Sequence, residues 1–369
     1  MDLQKIILLA FLLIGVKVYG QNDYLLIGKY DSDTEKGIAV CRWDPVKKDV
    51  DHMYTFDEVS NPSYLLYDSI NSMLYTVEEI ASPTGGWLTA LYFDKANGKL
   101  KKINSVPSMG DHPCVLTMSP DRRYILIGNY TGGNFSVFRI REDGAIGQRV
   151  QTIAHEGSSA NTQRQEAPHV HDLVFSPDHK YLLVADLGTD RVEVYQYNEN
   201  AEQPFVIKKN KGISVPAGHG PRHVKFTPEG DKLIIVEELS ETIGVANFKN
   251  GKLKYVKTEK LTSDNENNKG SAAEIQFLPG ESSFIVSNRG EINMLTYFDL
   301  DNEEELSFSA GVKVPRYFMI LPGGKELLVA GQESNEIILL EKPFKSTDKL
   351  EKRTLLKTDK PVFILPVLN

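Results

Sequence analysis

Two cysteines, Cys41 and Cys114, are all that this chain of 369 residues contains. Two cannot build a disulfide framework. They fall in different repeats at different phases, so both read as small, buried, apolar side chains. Clustered basic residues are also missing: 42 Lys and Arg against 50 Asp and Glu leave a formal charge of −8 with no basic run. Nucleic acid is bound by cations that displace condensed counterions, so this pattern argues against such a partner, and it gives no reason to expect anionic lipid. Neither an HExxH nor a GxSxG pattern occurs, which leaves a zinc hydrolase or a serine nucleophile elbow without support. No metal and no cofactor is expected.

Long apolar runs are absent except at the start. IILLAFLLIGV (residues 6–16) follows Lys5, and after it Val18 and Gly20 sit at the small-residue positions that a signal peptidase needs. Eleven residues fall short of the ~20 needed to span a bilayer, so residues 1–20 are predicted to be a cleaved signal peptide, with an uncleaved anchor as the alternative. No cysteine stands near the cleavage point to carry a lipid. The expectation is a periplasmic or secreted protein with no membrane contact beyond export.

What fills the remaining 21–369 is a repeat. Five segments align: residues 112–140, 168–197, 221–248, 272–298 and 315–341. In each, a short alternating strand meets a turn at Pro120, Pro177, Pro228, Pro279 or Pro322. Proline presets φ for the second position of a type I or II turn. A nearly continuous apolar strand follows (YLLVA, KLIIV), then a polar loop and a strand of period two such as VEVYQY. Residues 61–79 are a divergent copy. DYLLIGKYDSDTEKGIAVCRW (23–43) lacks the first strand, and KPVFILPV (360–367) lacks everything but the first strand. Together they complete one unit. First strands then begin near Pro62, Pro113, Pro168, Pro221, Ala272, Pro315 and Pro361, spaced by roughly 43 to 55 residues. This predicts an all-β fold, a seven-bladed β-propeller in one domain, closed by pairing of the C-terminal strand with the N-terminal blade. Closure removes free sheet edges, which favours a monomer.

The start of strand one and the end of strand two lie at the same end of an antiparallel hairpin, and strand one lines the axis. The first set holds Asn61, His112, His169, His171, Arg222, His223, Glu274 and Arg316. The second holds Lys29, Tyr30, Glu78, Glu79, Asn129, Tyr130, Asp186, Glu237, Glu238, Asn288, Arg289 and Gln332. Both should ring one mouth of the channel, the candidate site. Asn129, Asp186 and Asn288 read as loop residues bonded to backbone, and Tyr30 and Tyr130 as rim packing. Arg222, Arg289 and Arg316 recur at matching phases, and cations held that close need an anion or the carboxylates of Glu79, Glu238 and Glu274 between them. A structural ring of ion pairs is the alternative reading.

The linked series PHVH (168–171), GPRH (220–223), EEL (237–239), SNRG (287–290) and VPRYF (314–318), within the longer runs 155–178 and 218–230, resembles the lactonase family of seven-bladed propellers. That family includes propeller-type 6-phosphogluconolactonases and carboxy-muconate lactonising enzymes. The resemblance covers essentially the whole mature chain. It implies a metal-independent site of one His, two Arg and one Glu, which fall on His171, Arg222, Glu238 and Arg289. It also implies hydrolysis of a small-molecule sugar lactone. Val115 and Tyr317 stand where the family often has histidine, which bears on substrate identity. In this reading His171 is general base on water, Glu238 orients it or shares its proton, and Arg289 stabilises the oxyanion. Arg222, with His169, His223, Glu79 and Arg316, holds the substrate. A muconate-type lactonising isomerase and a non-catalytic propeller that binds glycan or protein are the rivals. Export fits an unphosphorylated lactone better than a phosphorylated one.

Overall fold

The computed structural model describes residues 23–261, 270–302, 304–341 and 351–368, and these form seven antiparallel sheets arranged as blades. The predicted signal peptide lies outside the described residues. Blade 1 combines Asp23–Lys29, Ile38–Asp44 and Asp49–Phe56 with the C-terminal strand Pro361–Val367, and Tyr24 pairs with Val367 and Lys29 with Pro361. The expected closure is therefore present. Blades 2 to 7 have their first strands at Leu65–Asp68, Pro113–Met118, Val170–Phe175, Pro221–Phe226, Gly270–Phe277 and Pro315–Ile320. These lie within three residues of the positions read from the repeat.

Period-two alternation explains how one strand serves two neighbours. Tyr24 and Leu26 pack into an apolar cluster shared with blade 2, while Leu25 and Ile27 pack into one shared with blade 7. Every such cluster bridges two adjacent blades, and one fills each of the seven junctions. This is why second strands read as continuous apolar runs: Leu182, Leu183, Val184 and Ala185 are all inaccessible to solvent. Truncating one such leucine to alanine costs about 2–5 kcal/mol through lost contact and residual cavity.

The turn prolines behave as their chemistry requires. The amides of Arg122, His179, Gly230, Glu281 and Gly324 donate to the carbonyls of Ser119, Ser176, Thr227, Leu278 and Leu321, which places the prolines at the second turn position. These turns cap one end of the hairpins. The polar residues gather at the other.

Candidate active site

Strand parity at that end sorts residues that the repeat leaves mixed. At the close of the second strand stand two consecutive polar residues in blades 1, 2, 3, 5 and 6 and a polar–apolar pair, Asp186 and Leu187, in blade 4, and alternation sends the two members in opposite directions. The first member turns away from the axis into its own blade. Glu78 accepts from Thr89 Oγ1 at 2.7 Å, and Asn129 donates to Asn134 at 2.6 Å. Asp186 binds His155 at 2.7 Å and three backbone amides, and Glu237 binds His219 at 2.6 Å, Tyr255 and two threonines. Asn288 bonds Ser271 N and Glu241, and Lys29 pairs with Glu35. These are structural networks. The second member (Tyr30, Glu79, Tyr130, Glu238 or Arg289) turns to the axis.

A second device acts on the first strands. Register slips between Pro113 and Val115, Val170 and Asp172, Pro221 and Val224, Ala272 and Ile275, and Pro315 and Tyr317. Each slip is a β-bulge, and bulges re-aim side chains beside functional sites. The residues displaced are Cys114, His171, Arg222 with His223, Ala273 with Glu274, and Arg316. The two sets meet in a cavity of about 260 Å³ at the channel mouth, walled by Tyr30, Glu79, Cys114, Tyr130, Arg164, His171, Glu238, Arg289 and Arg316. Three roomier clefts, of about 400, 460 and 390 Å³, lie among outer strands, turns and loops, and none of them brings together a histidine with arginines and buried carboxylates as this cavity does.

Glu238 is the hub. Its carboxylate, 3 % exposed, takes Arg164 Nη2 at 2.8 Å on one oxygen, and Arg289 Nη2 at 3.0 Å and Arg222 Nε at 3.1 Å on the other. Burial alone would raise its pKa, but Arg289, Arg222, His171 and Arg164 outweigh that and hold it far below the usual carboxylate range. Such a carboxylate holds a proton only weakly, which weighs against the proton-sharing half of its expected role; its geometry is that of a counter-ion that gathers three guanidiniums.

His171 is 96 % covered, its ring edge-on to Tyr130 at 5.4 Å and its Nδ1 3.9 Å from Cys114 Sγ. Burial, then the charges of Arg222 and His223, push its pKa well below 6.5, so the imidazole is neutral. Arg222, expected to hold substrate, is 2 % exposed; its Nη1 donates to Ala273 O at 2.6 Å, while its buried Nε lies 3.1 Å from Glu238 without hydrogen-bond geometry. His169 does not line the cavity either. It precedes the bulge, stacks on Tyr130 at 4.3 Å and bonds the Tyr130 carbonyl at 3.0 Å. His223 lies behind the wall, 5.4 Å from the His171 ring and 3.0 Å from Glu274, whose pKa burial raises to about 7.

Glu79 and Arg316 do line the cavity. Glu79 accepts from Tyr30 OH at 2.9 and 3.0 Å and from Ser63 Oγ. Tyr30 is thus more than rim packing. Cys114, read as an inert core thiol, also reaches the wall; burial, then Glu79, keep it protonated. Val115 packs into the cluster between blades 3 and 4, and Tyr317 packs on Phe363, ring centroids 4.3 Å apart and tilted by 33°. Neither of these departures touches the cavity.

Arg164 was not singled out by the sequence, although it lies in the quoted run 155–178. Its loop is tied down by Asp190, which accepts from Gln165 Nε2 at 2.7 Å and from the amides of Gly218 and Gly220, both at 2.6 Å. Gly220 has φ +67°, and an added Cβ would meet Leu239 at 2.8 Å, so glycine is needed there. One aspartate therefore joins the loop that carries Arg164 to the loop that introduces Arg222.

Residues 24–366 match the family described as Lactonase, 7-bladed beta-propeller. A 6-phosphogluconolactonase of Bacillus subtilis is 28 % identical over 333 residues, 88 % of this chain and 92 % of that protein. The crystal structure of a putative 6-phosphogluconolactonase from Bacteroides fragilis superposes with a TM-score of 0.85 at 30 % identity, covering 95 % of this chain and 99 % of that one. A periplasmic gluconolactonase of Pseudomonas aeruginosa gives 0.86 at 31 % identity, covering 94 % and 99 %.

Proposed function

We propose, from the premise that this chain belongs to the lactonase family of seven-bladed β-propellers, that it hydrolyses a sugar lactone in the mouth cavity. Relatives of matched length are named 6-phosphogluconolactonase and gluconolactonase, which supports this substrate class. The observation that carries the reading is the meeting, on bulges and strand ends of different blades, of a neutral imidazole with a guanidinium cluster fixed by one buried carboxylate.

Ester hydrolysis needs a base for water and a cation for the developing oxyanion. His171 is neutral and faces the cavity, so it accepts the proton of an attacking water. As the tetrahedral intermediate collapses, the ring C–O bond breaks and the imidazolium returns that proton to the leaving alkoxide. Arg289, 12 % exposed and oriented by Glu238, faces the carbonyl oxygen. Glu238 stays ionised throughout and keeps Arg289 and Arg164 at fixed positions. Glu79, whose carboxylate is bound among the described residues by the hydroxyls of Tyr30 and Ser63, accepts from the substrate's hydroxyls. Export to the periplasm or beyond belongs to the same proposal, on the strength of residues 1–20 and of the periplasmic relative.

The test is a lactone panel followed by pH indicator, with His171→Ala as control. Turnover that falls roughly 10²- to 10⁴-fold in the variant supports His171 as base. Equal turnover in both proteins removes His171 from that role, and a silent panel with folded protein favours a binding propeller.

A further inference from the structure

The cavity wall carries three guanidiniums, Arg164, Arg289 and Arg316, against two carboxylates, Glu79 and Glu238. Arg164 and Arg289 are both paired to Glu238. Arg316 is different: among the described residues it has no ion pair, and its guanidinium lies 5.4 Å over the Tyr30 ring. The carboxylate on the neighbouring wall, Glu79, is taken by the hydroxyls of Tyr30 and Ser63. At the phase where blades 2 and 5 place Glu79 and Glu238, blade 7 has Gln332. A bulge nevertheless turns Arg316 to the axis.

Glu79, Glu238 and the Tyr30 oxygen lie near enough to favour the Arg316 charge despite its burial, but among the described residues no hydrogen bond or ion pair engages the guanidinium, so its donors stay open to an arriving oxyanion. Its neighbours feel that charge: Arg316 adds to the burial and other charges that lower the pKa values of Arg222, Arg289 and His171. An arriving anion would relieve all three and raise the basicity of His171.

Resting on the lactonase reading, we propose that Arg316, seated on Tyr30, is a specificity-determining clamp for an oxyanion substituent, carboxylate or phosphate, carried by the lactone away from its carbonyl. The planar fork of arginine suits both groups. The clamp lies one blade from Arg289, so a lactone whose carbonyl meets Arg289 presents its substituent to blade 7 and blade 1.

Wild type, Arg316→Gln and Arg316→Lys are compared on gluconolactone (neutral), glucarolactone (carboxylate) and 6-phosphogluconolactone (phosphate), with a thermal melt to confirm folding. The kcat/KM ratio of anionic over neutral lactone should fall roughly ten- to a hundredfold in the Gln variant, the loss of a charge-assisted bond, and less in the Lys variant. Which anionic arm falls further identifies the substituent. An unchanged ratio, with all three lactones weakened together, overturns the clamp and leaves the lactonase reading standing. If wild type hydrolyses no lactone, calorimetric titration with glucuronate, glucose 6-phosphate and glucose decides the clamp independently. Anion binding lost in Arg316→Gln supports it, and equal or absent binding in both proteins overturns it.

Discussion

The two sides of the mouth cavity are built on the same repeat and hold opposite chemistry. On blades 4 to 6 the carboxylate Glu238 is saturated by three guanidiniums, and every partner is deeply or partly buried except Arg164, which is 44 % exposed. On blades 1 and 2 the carboxylate Glu79 forms no ion pair among the described residues and is held by the hydroxyls of Tyr30 and Ser63, with Arg316 acting on it only through space. A carboxylate saturated with cations is a rigid anchor and a very weak base. One held by hydroxyls can exchange them for those of a polyol at little cost. Chemistry is thereby confined to one side and recognition to the other, although the backbone is nearly the same.

The largest effect expected from breaking this contrast is at the anchor. Glu238→Gln leaves three guanidiniums facing one another, and unpairing a buried charge costs about 3–5 kcal/mol. Thermal melts should show a drop of many degrees, together with loss of turnover. A variant that melts like wild type would mean that the arginines have other counter-ions. The same anchor predicts an acid limb. Because folding depresses the pKa of Glu238, its stabilisation is complete above the ordinary value of 4.5 and is lost as pH falls below it. Wild type should therefore lose more stability than Glu238→Gln when melts are repeated from pH 5 to pH 3.

A second prediction concerns the base. With the pKa of His171 well below 6.5, kcat/KM should stay level from pH 8 to below 6.5. An inflection near 7 would instead point to Glu274, which burial raises to about 7 beside His223. The smallest effect belongs to the recognition side. Glu79→Gln and Tyr30→Phe should raise KM several-fold, the worth of one exposed-to-ligand hydrogen bond, with little change in melting. A loss of kcat as deep as that of His171→Ala would make Glu79 part of the chemistry and end the division of the two sides.

Much of this was legible before any coordinates. Period two, the turn prolines and the incomplete repeats at both ends carry the blade number and the closure, because each is a local property of the strand that bears it. Most of the wall was legible too, since His171, Glu238, Arg289, Glu79 and Arg316 share the same few repeat phases. What those phases could not sort was direction. Glu237 and Glu238 are adjacent and chemically identical, yet one binds His219 inside its blade and the other binds Arg164 at the axis. His169 and His171 divide in the same way across a bulge.

The sequence by itself determined the blades, their order and the mouth where polar residues collect, because alternation and turn propensity act within a few residues of chain. The tertiary structure alone decided which charges are spent and which remain available. Arg222 faces Glu238 and Ala273, Arg164 reaches the site from a loop tied to Asp190, and Arg316 is left without an ion pair among the described residues. Ion pairing depends on distances between blades some 50 residues apart in the repeat, and closure of the ring sets those distances.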